Sequence, residues 1–151
     1  MTTSVAEAPE TVKPNPSFMS LFDAFDVKTI AFKHAQGKAI LLDVMVPKTI
    51  SDGKHPVNLR FHGGFLVNGA RNMAKITPPW LLQHAIDERI IIVSPDYRLL
   101  PESSGSDILE DIEDAWNWVS TELSKTVLGM RQGKAVADIK RIIVSGESAG
   151  A

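Results

Sequence analysis

The end of the chain places a serine among small residues directly after an apolar run. The apolar run RIIV at residues 141–144 predicts a strand, and GESAG follows it at residues 146–150. Small residues on both sides of a serine let the backbone turn sharply where a strand passes into a helix. The sequence therefore predicts a nucleophile elbow with Ser148 as the candidate nucleophile. The alternative is a glycine-rich turn of another kind, for instance one that binds phosphate.

A second glycine-rich segment lies upstream, where FHGGFLVNG spans residues 61–69 and follows a predicted strand. Glycines just past a strand end leave backbone N–H groups accessible, and acyl-transfer enzymes need such donors around the oxyanion of the tetrahedral intermediate. Gly63 and Gly64 are therefore candidate donors, and the alternative is a plain β-turn. We expect His62 to fix this loop by hydrogen bonding and not to act as a base.

Strands and helices alternate along the sequence. The patterns predict a hairpin of strands at 27–35 and 38–46, further strands at 57–61, 90–94 and 141–145, and helices at about 77–89 and 107–123. A polar loop is expected at 49–56. Alternating helices and apolar inner strands indicate an α/β fold with a mostly parallel sheet flanked by helices and an antiparallel hairpin at its start.

Local signals mark where the two helices begin. Thr77 is the predicted N-cap of the first, with Pro78 in its first turn. In the second, Asp107 and Glu110 are predicted to form a capping box. Its predicted apolar stripe consists of Ile108, Ile112, Ala115, Trp116, Val119 and Leu123.

Composition narrows the possible function classes. The chain has 151 residues, a net charge of −2 and scattered Lys and Arg, which gives no electrostatic case for nucleic acid. It has no cysteine, so disulfides and cysteine-ligated zinc are excluded. No apolar run has the roughly 18 residues of a membrane span, and no secretory signal is readable. We expect a cytoplasmic protein without metal or cofactor.

Other polar residues have simpler interpretations. Asp96 follows a buried strand, where it could be catalytic, but a structural pairing with an arginine is favoured. His34, His55 and His84 are expected in a strand, a loop and a helix surface, with no metal-ligand spacing. Trp118 is interpreted as a residue of its helix and not as a ligand contact.

Four motifs occur together in a characteristic order. They are HGG at 62–64, DYRLLPE at 96–102, DIEDAWNWV at 111–119 and GESAGA at 146–151. This set resembles the hormone-sensitive-lipase-like branch of the α/β-hydrolase superfamily. The resemblance implies that Ser148 is the nucleophile, that Ala149, Gly63 and Gly64 supply the oxyanion N–H groups, and that residues 96–98 are structural. It implies a partial α/β-hydrolase domain at 27–151, preceded at 1–26 by a flexible lead-in or the start of a cap.

Two positions depart from the family pattern. Phe65 stands where the family has a third loop glycine, and a backbone angle that only glycine tolerates would be strained there. Glu147 replaces a common Asp. The family's acid and histidine follow the elbow, so this chain is expected to be the N-terminal part of the fold and inactive alone.

The leading interpretation is part of a serine hydrolase that acts on a small-molecule carboxylic ester. A non-hydrolytic family member remains open, either a dehydratase or a ligand-binding protein, as does a truncated product without function. Ester hydrolysis by the complete protein would separate the first from the others. The substrate and the oligomeric state are not fixed by these motifs.

Overall fold

The computed structural model describes residues 18–151 of the protein. The strands are β1 (Phe25–Ala35), β2 (Lys38–Pro47), β3 (Gly53–Phe61), β4 (Ile91–Pro95) and β5 (Ala135–Gly146). The helices are α1 (Phe18–Phe22), α2 (Pro79–Asp87) and α3 (Gly105–Met130). Short 3-10 turns span Ala74–Ile76 and Ser148–Gly150.

The strands form one mixed sheet in the order β1-β2-β4-β3-β5. The β1–β2 hairpin and the β2–β4 pair are antiparallel, whereas β3 pairs in parallel with both β4 and β5. The predicted α/β fold with a starting hairpin is confirmed. Because β3, β4 and β5 run in the same direction, the segments that follow Phe61, Pro95 and Gly146 emerge at one edge of the sheet.

Helices pack on both faces of the sheet. Successive strand residues point to opposite faces, so Val44 of β2 packs in the core beneath α3, whereas Met45 packs in the core with α1 and α2. Leu21 of α1 and Phe25 at the start of β1 are buried in this second core. They lie in the described part of the predicted lead-in 1–26. Residues 1–17 lie outside the described residues, and the division at 26/27 stays a prediction.

Two strands, β3 and β5, begin four or more residues before their predicted starts. β3 begins at Gly53, inside the predicted loop 49–56, and its first residues pair with Ala135–Ala137 of β5. His55, predicted in a loop, is therefore a buried strand residue whose Nε2 lies 2.8 Å from the carbonyl oxygen of Ser51. The start of β5 at Ala135 was not predicted because Asp138 and Lys140 interrupt its apolar pattern.

The predicted start of α2 is wrong by one residue. Pro78 is the N-cap and Pro79 is in the first turn, whereas the Thr77 hydroxyl donates to the carbonyl oxygen of Met73 at 3.1 Å. The Pro-Pro sequence explains the shift, because a residue before proline is disfavoured in the helical region, and Pro78 is extended (φ −63°, ψ 125°).

The capping box of α3 also differs from the prediction. Ser104 is the N-cap, and its Oγ accepts from the Asp107 N–H at 3.1 Å while Asp107 Oδ2 accepts from the Ser104 N–H at 2.7 Å. Asp107 therefore occupies the third helical position and not the cap itself. Glu110 instead makes ion pairs with Lys33 and Arg98.

The buried stripe of α3 is rotated relative to the predicted one. It comprises Ile108, Asp111, Ala115, Val119, Leu123 and Val127. Trp116, predicted in the stripe, is 43% exposed. The rotation buries the carboxylate of Asp111 completely, and Lys33 Nζ (2.9 Å) and Arg98 Nη2 (2.8 Å) neutralise it. A buried charge is tolerated only when paired in this way.

Candidate active site

The predicted elbow is a tight turn at the carboxyl end of β5. Ser148 has φ +55°, in the left-handed region that non-glycine residues adopt at a cost of about 1–2 kcal/mol. The flanking glycines are required by close packing. A Cβ on Gly146 would overlap the carbonyl oxygen of Gly150, and one on Gly150 would overlap that of Phe61. Ser148 is exposed, as a nucleophile must be.

The glycine loop after β3 lies directly against this elbow. A Cβ added to Gly63 would stand 2.6 Å from the carbonyl oxygen of Glu147 and 3.3 Å from Cβ of Ser148. In the described part of the chain, the backbone N–H groups of Gly63 and Gly64 donate to no backbone carbonyl oxygen. The fold therefore brings the loop and the serine together, and the oxyanion roles of the three N–H groups stay a prediction.

The loop continues through two residues with left-handed backbone. Phe65 has φ +57° and Leu66 has φ +63°, so the strain expected at the replaced glycine is present. Leu66 is half-buried against the core beneath α3, and its carbonyl oxygen accepts from the N–H of Leu100 at 2.8 Å. Phe65 is 83% exposed.

A buried arginine links β3 to the elbow. Arg60 is 1% exposed, and its guanidinium contacts Glu147 at two points, Nε to Oε1 at 3.0 Å and Nη2 to Oε2 at 2.9 Å. The backbone N–H of Glu147 also donates to the carbonyl oxygen of Phe61 at 3.3 Å. The residue before the candidate nucleophile is thus held by its side chain and its backbone.

The same arginine also contacts the segment that follows the glycine loop. Arg60 Nη1 donates to Ser94 Oγ at 3.2 Å, and Nη2 donates to the carbonyl oxygen of Ile76 at 3.2 Å. Ser94 Oγ in turn donates to the carbonyl oxygen of Arg71 at 3.0 Å. Arg60 was not predicted as a site residue, although one signal was available, because it is the single charge in the predicted strand 57–61.

His62 has the loop-fixing contacts that its position predicts. Its Nδ1 lies 2.9 Å from the carbonyl oxygen of Gly63, and its ring stacks on Tyr97 at a centroid distance of 4.3 Å. The Tyr97 hydroxyl donates to the His62 carbonyl oxygen at 2.5 Å. Burial lowers the pKa of His62, although the hydrogen bond with Gly63 opposes that shift. Burial raises the pKa of Tyr97.

Asp96 is engaged in a structural pairing, as favoured from the sequence. Its Oδ1 accepts from the backbone N–H of Arg71 at 2.7 Å, and its Oδ2 accepts from Arg71 Nη1 at 2.6 Å. Arg71 Nε also donates to Asp43 Oδ1 at 3.0 Å, and Asp43 accepts from Thr29 at 2.6 Å. These bonds attach the segment after the glycine loop to β2 and to the residue that directly follows β4.

The other histidines are not connected to Ser148. His34 is exposed in β1, His84 is exposed on α2, and neither has a hydrogen bond with the serine. Among residues 18–151, no three His, Asp or Glu side chains are grouped as a metal site. Within the same residues, no helix is both long and apolar enough to cross a membrane.

Comparisons with known proteins agree with this geometry. A family model described as an alpha/beta hydrolase fold matches residues 58–151. The chain is 31% identical to probable carboxylesterase M8 of Phoma sp. over 134 residues, which are 87% of this chain and 42% of that protein. It is 39% identical to esterase LipI of Mycobacterium tuberculosis over 105 residues, which are 69% of this chain and 29% of LipI.

A solved structure shows the same arrangement of elements. The hyperthermophilic esterase of the archaeon Pyrobaculum calidifontis superposes with a TM-score of 0.65 and 26% identity, covering 90% of this chain and 41% of that one. The chain thus spans less than half the length of each of these relatives.

Proposed function

The chain belongs to the α/β-hydrolase family, in its hormone-sensitive-lipase-like branch, and from that premise we propose that it forms the N-terminal part of a serine hydrolase acting on carboxylic esters. The contact between Gly63 and the elbow carries the proposal, because it joins the candidate donors to the candidate nucleophile. The carboxylesterase and esterase relatives support this reaction class.

The proposed reaction begins when Ser148 Oγ attacks the acyl carbonyl carbon. A C–O bond forms, the serine proton passes to a base, and the carbonyl electron pair moves onto oxygen. The N–H groups of Gly63, Gly64 and Ala149 stabilise that oxyanion by hydrogen bonding. The tetrahedral intermediate then expels the alcohol, which takes up the proton, and water hydrolyses the acyl-enzyme by the same two steps.

The base and its orienting acid are proposed to lie outside residues 1–151. The chain has four histidines. His62, which directly precedes Gly63, contacts the Gly63 carbonyl oxygen through Nδ1 and stacks on the Tyr97 ring. Without a neighbouring base Ser148 keeps a poorly nucleophilic hydroxyl. We therefore propose that the 151-residue chain has no meaningful turnover by itself.

A fluorophosphonate probe tests both parts of this proposal. The complete protein is expected to be labelled at Ser148 within minutes and to hydrolyse p-nitrophenyl acetate, whereas the 151-residue chain is labelled far more slowly. Ser148→Ala is the control that removes labelling in both. Rapid labelling of the isolated chain would refute its proposed inactivity. A complete protein that is neither labelled nor hydrolytic would instead favour a ligand-binding or dehydratase role.

A further inference from the structure

Phe65 is a large apolar side chain that does not pack against the rest of residues 18–151. It is 83% exposed, so its burial contributes almost nothing to stability. Its backbone is also in the left-handed region, at φ +57°, which disfavours any residue with a Cβ. A glycine would relieve this strain. A residue that is strained and unburied at once points to a role outside folding.

The neighbouring residue provides the contrast within the same loop. Leu66 has nearly the same backbone angle, φ +63°, but it is half-buried, packs against the core beneath α3 and accepts a backbone hydrogen bond from Leu100. Leu66 therefore anchors the loop, while Phe65 extends from it into solvent.

Phe65 belongs to the loop that lies against the elbow. It follows Gly64 directly and lies two residues after Gly63, whose backbone touches the elbow beside Ser148. An ester bound with its carbonyl oxygen at the loop N–H groups has an acyl substituent and an alcohol substituent next to this loop. An exposed phenyl ring there offers an apolar surface to one of them.

We infer that Phe65 is a specificity-determining residue that contacts an apolar substituent of the ester attacked by Ser148, so that the enzyme prefers esters with a bulky apolar group. The inference rests on the proposed esterase function. The substituent is apolar, and the experiment decides whether it belongs to the acyl side or the alcohol side of the ester.

The test compares wild type with Phe65→Ala in the complete protein. One substrate series keeps p-nitrophenol and lengthens the acyl group from acetate to octanoate. The other keeps acetate and enlarges the alcohol from ethyl to naphthyl. Phe65→Ala is expected to lower kcat/KM for the bulky members of one series by about tenfold more than for the smallest ester of that series, as loss of a hydrophobic contact does.

Stability measurements separate this role from a packing role. Alanine carries the same left-handed penalty as phenylalanine, so Phe65→Ala is expected to leave the unfolding midpoint unchanged, whereas Leu66→Ala lowers it. Equal destabilisation by both variants overturns the inference, as does an unchanged or uniformly lowered kcat/KM in both series. If wild type shows no hydrolysis that depends on Ser148, the esterase function itself fails. An active wild type with an unselective variant refutes only the role of Phe65.

Discussion

The guanidinium of Arg60 and the carboxylate of Glu147 form a two-point ion pair between residues 87 positions apart in the sequence. One partner lies two residues before the glycine loop begins at His62, and the other lies immediately before Ser148. The pair therefore joins the two segments that are proposed to build the oxyanion site. It also neutralises a carboxylate next to the position where negative charge would develop.

Removing one partner of this pair is expected to destabilise the chain more than removing both. Glu147→Leu leaves the buried guanidinium of Arg60 unpaired and should lower the free energy of unfolding by about 3 kcal/mol. The double variant Arg60→Leu/Glu147→Leu leaves no unpaired charge and should recover part of this loss. Urea denaturation of wild type, Arg60→Leu, Glu147→Leu and the double variant measures the coupling energy, and strictly additive losses would show that the pair contributes nothing.

The candidate site could be predicted from the sequence to the extent that its signals are local. GESAG at 146–150 and HGG at 62–64 are contiguous segments, so they can be recognised without knowledge of the fold. In the structure, Gly146 and Gly150 are needed because a Cβ at either position would overlap a backbone carbonyl oxygen. Helices and strands could be told apart by the spacing of their apolar residues, which is also a local signal.

The features that were missed depend on partners far away in the sequence. Arg60 has a clear role only once Glu147 is placed beside it. The buried stripe of α3 includes Asp111 because Lys33 from β1 and Arg98 reach it, which the periodicity of α3 alone cannot indicate. Such tertiary pairings override local pattern.

The Asp111 ion pairs are expected to make stability depend on acid pH. Burial opposes ionisation of Asp111, but hydrogen bonds from Arg98 and Lys33 outweigh it and lower the pKa of the carboxyl. A lowered pKa contributes stability that is present above the unfolded-state value of about 3.9 and is lost as pH falls through the folded-state value. Unfolding curves between pH 6 and 2.5 should show this loss in wild type.

The matched variant for this effect is Asp111→Asn. It should be less stable than wild type at pH 6, by about 3 kcal/mol, because Lys33 and Arg98 lose their buried counter-charge. It should also show a shallower decline below pH 4. Equal pH dependence in the two proteins would assign the acid loss to other carboxylates.

His62 is expected to affect stability in a separate pH window. Burial lowers its pKa, so the unfolded chain, with a histidine pKa near 6.5, takes up a proton more readily than the folded chain. The contribution of neutral His62 to the free energy of unfolding is therefore fully present above about pH 6.5. It is lost as the pH falls below that value, by at most about 1.4 kcal/mol per pH unit. Urea denaturation at pH 7.5, 6.5 and 5.5 should show this fall in wild type and not in His62→Gln. A decline of the same size in the variant would contradict the assignment.

Two glycine-to-alanine substitutions should change stability in opposite directions. At Gly146 the added Cβ would overlap the carbonyl oxygen of Gly150, which is backbone and cannot move without opening the turn, so we expect a loss of more than about 2 kcal/mol. At Gly129 in α3 no atom lies within 4 Å of the added Cβ, and alanine should stabilise the helix by about 0.5–1 kcal/mol. Thermal and urea unfolding of the 151-residue chain measure both changes. Because both variants add the same methyl group, a loss confined to Gly146→Ala can be attributed to the tight turn that holds Ser148, whereas a Gly146→Ala protein as stable as wild type would contradict the close packing of the elbow.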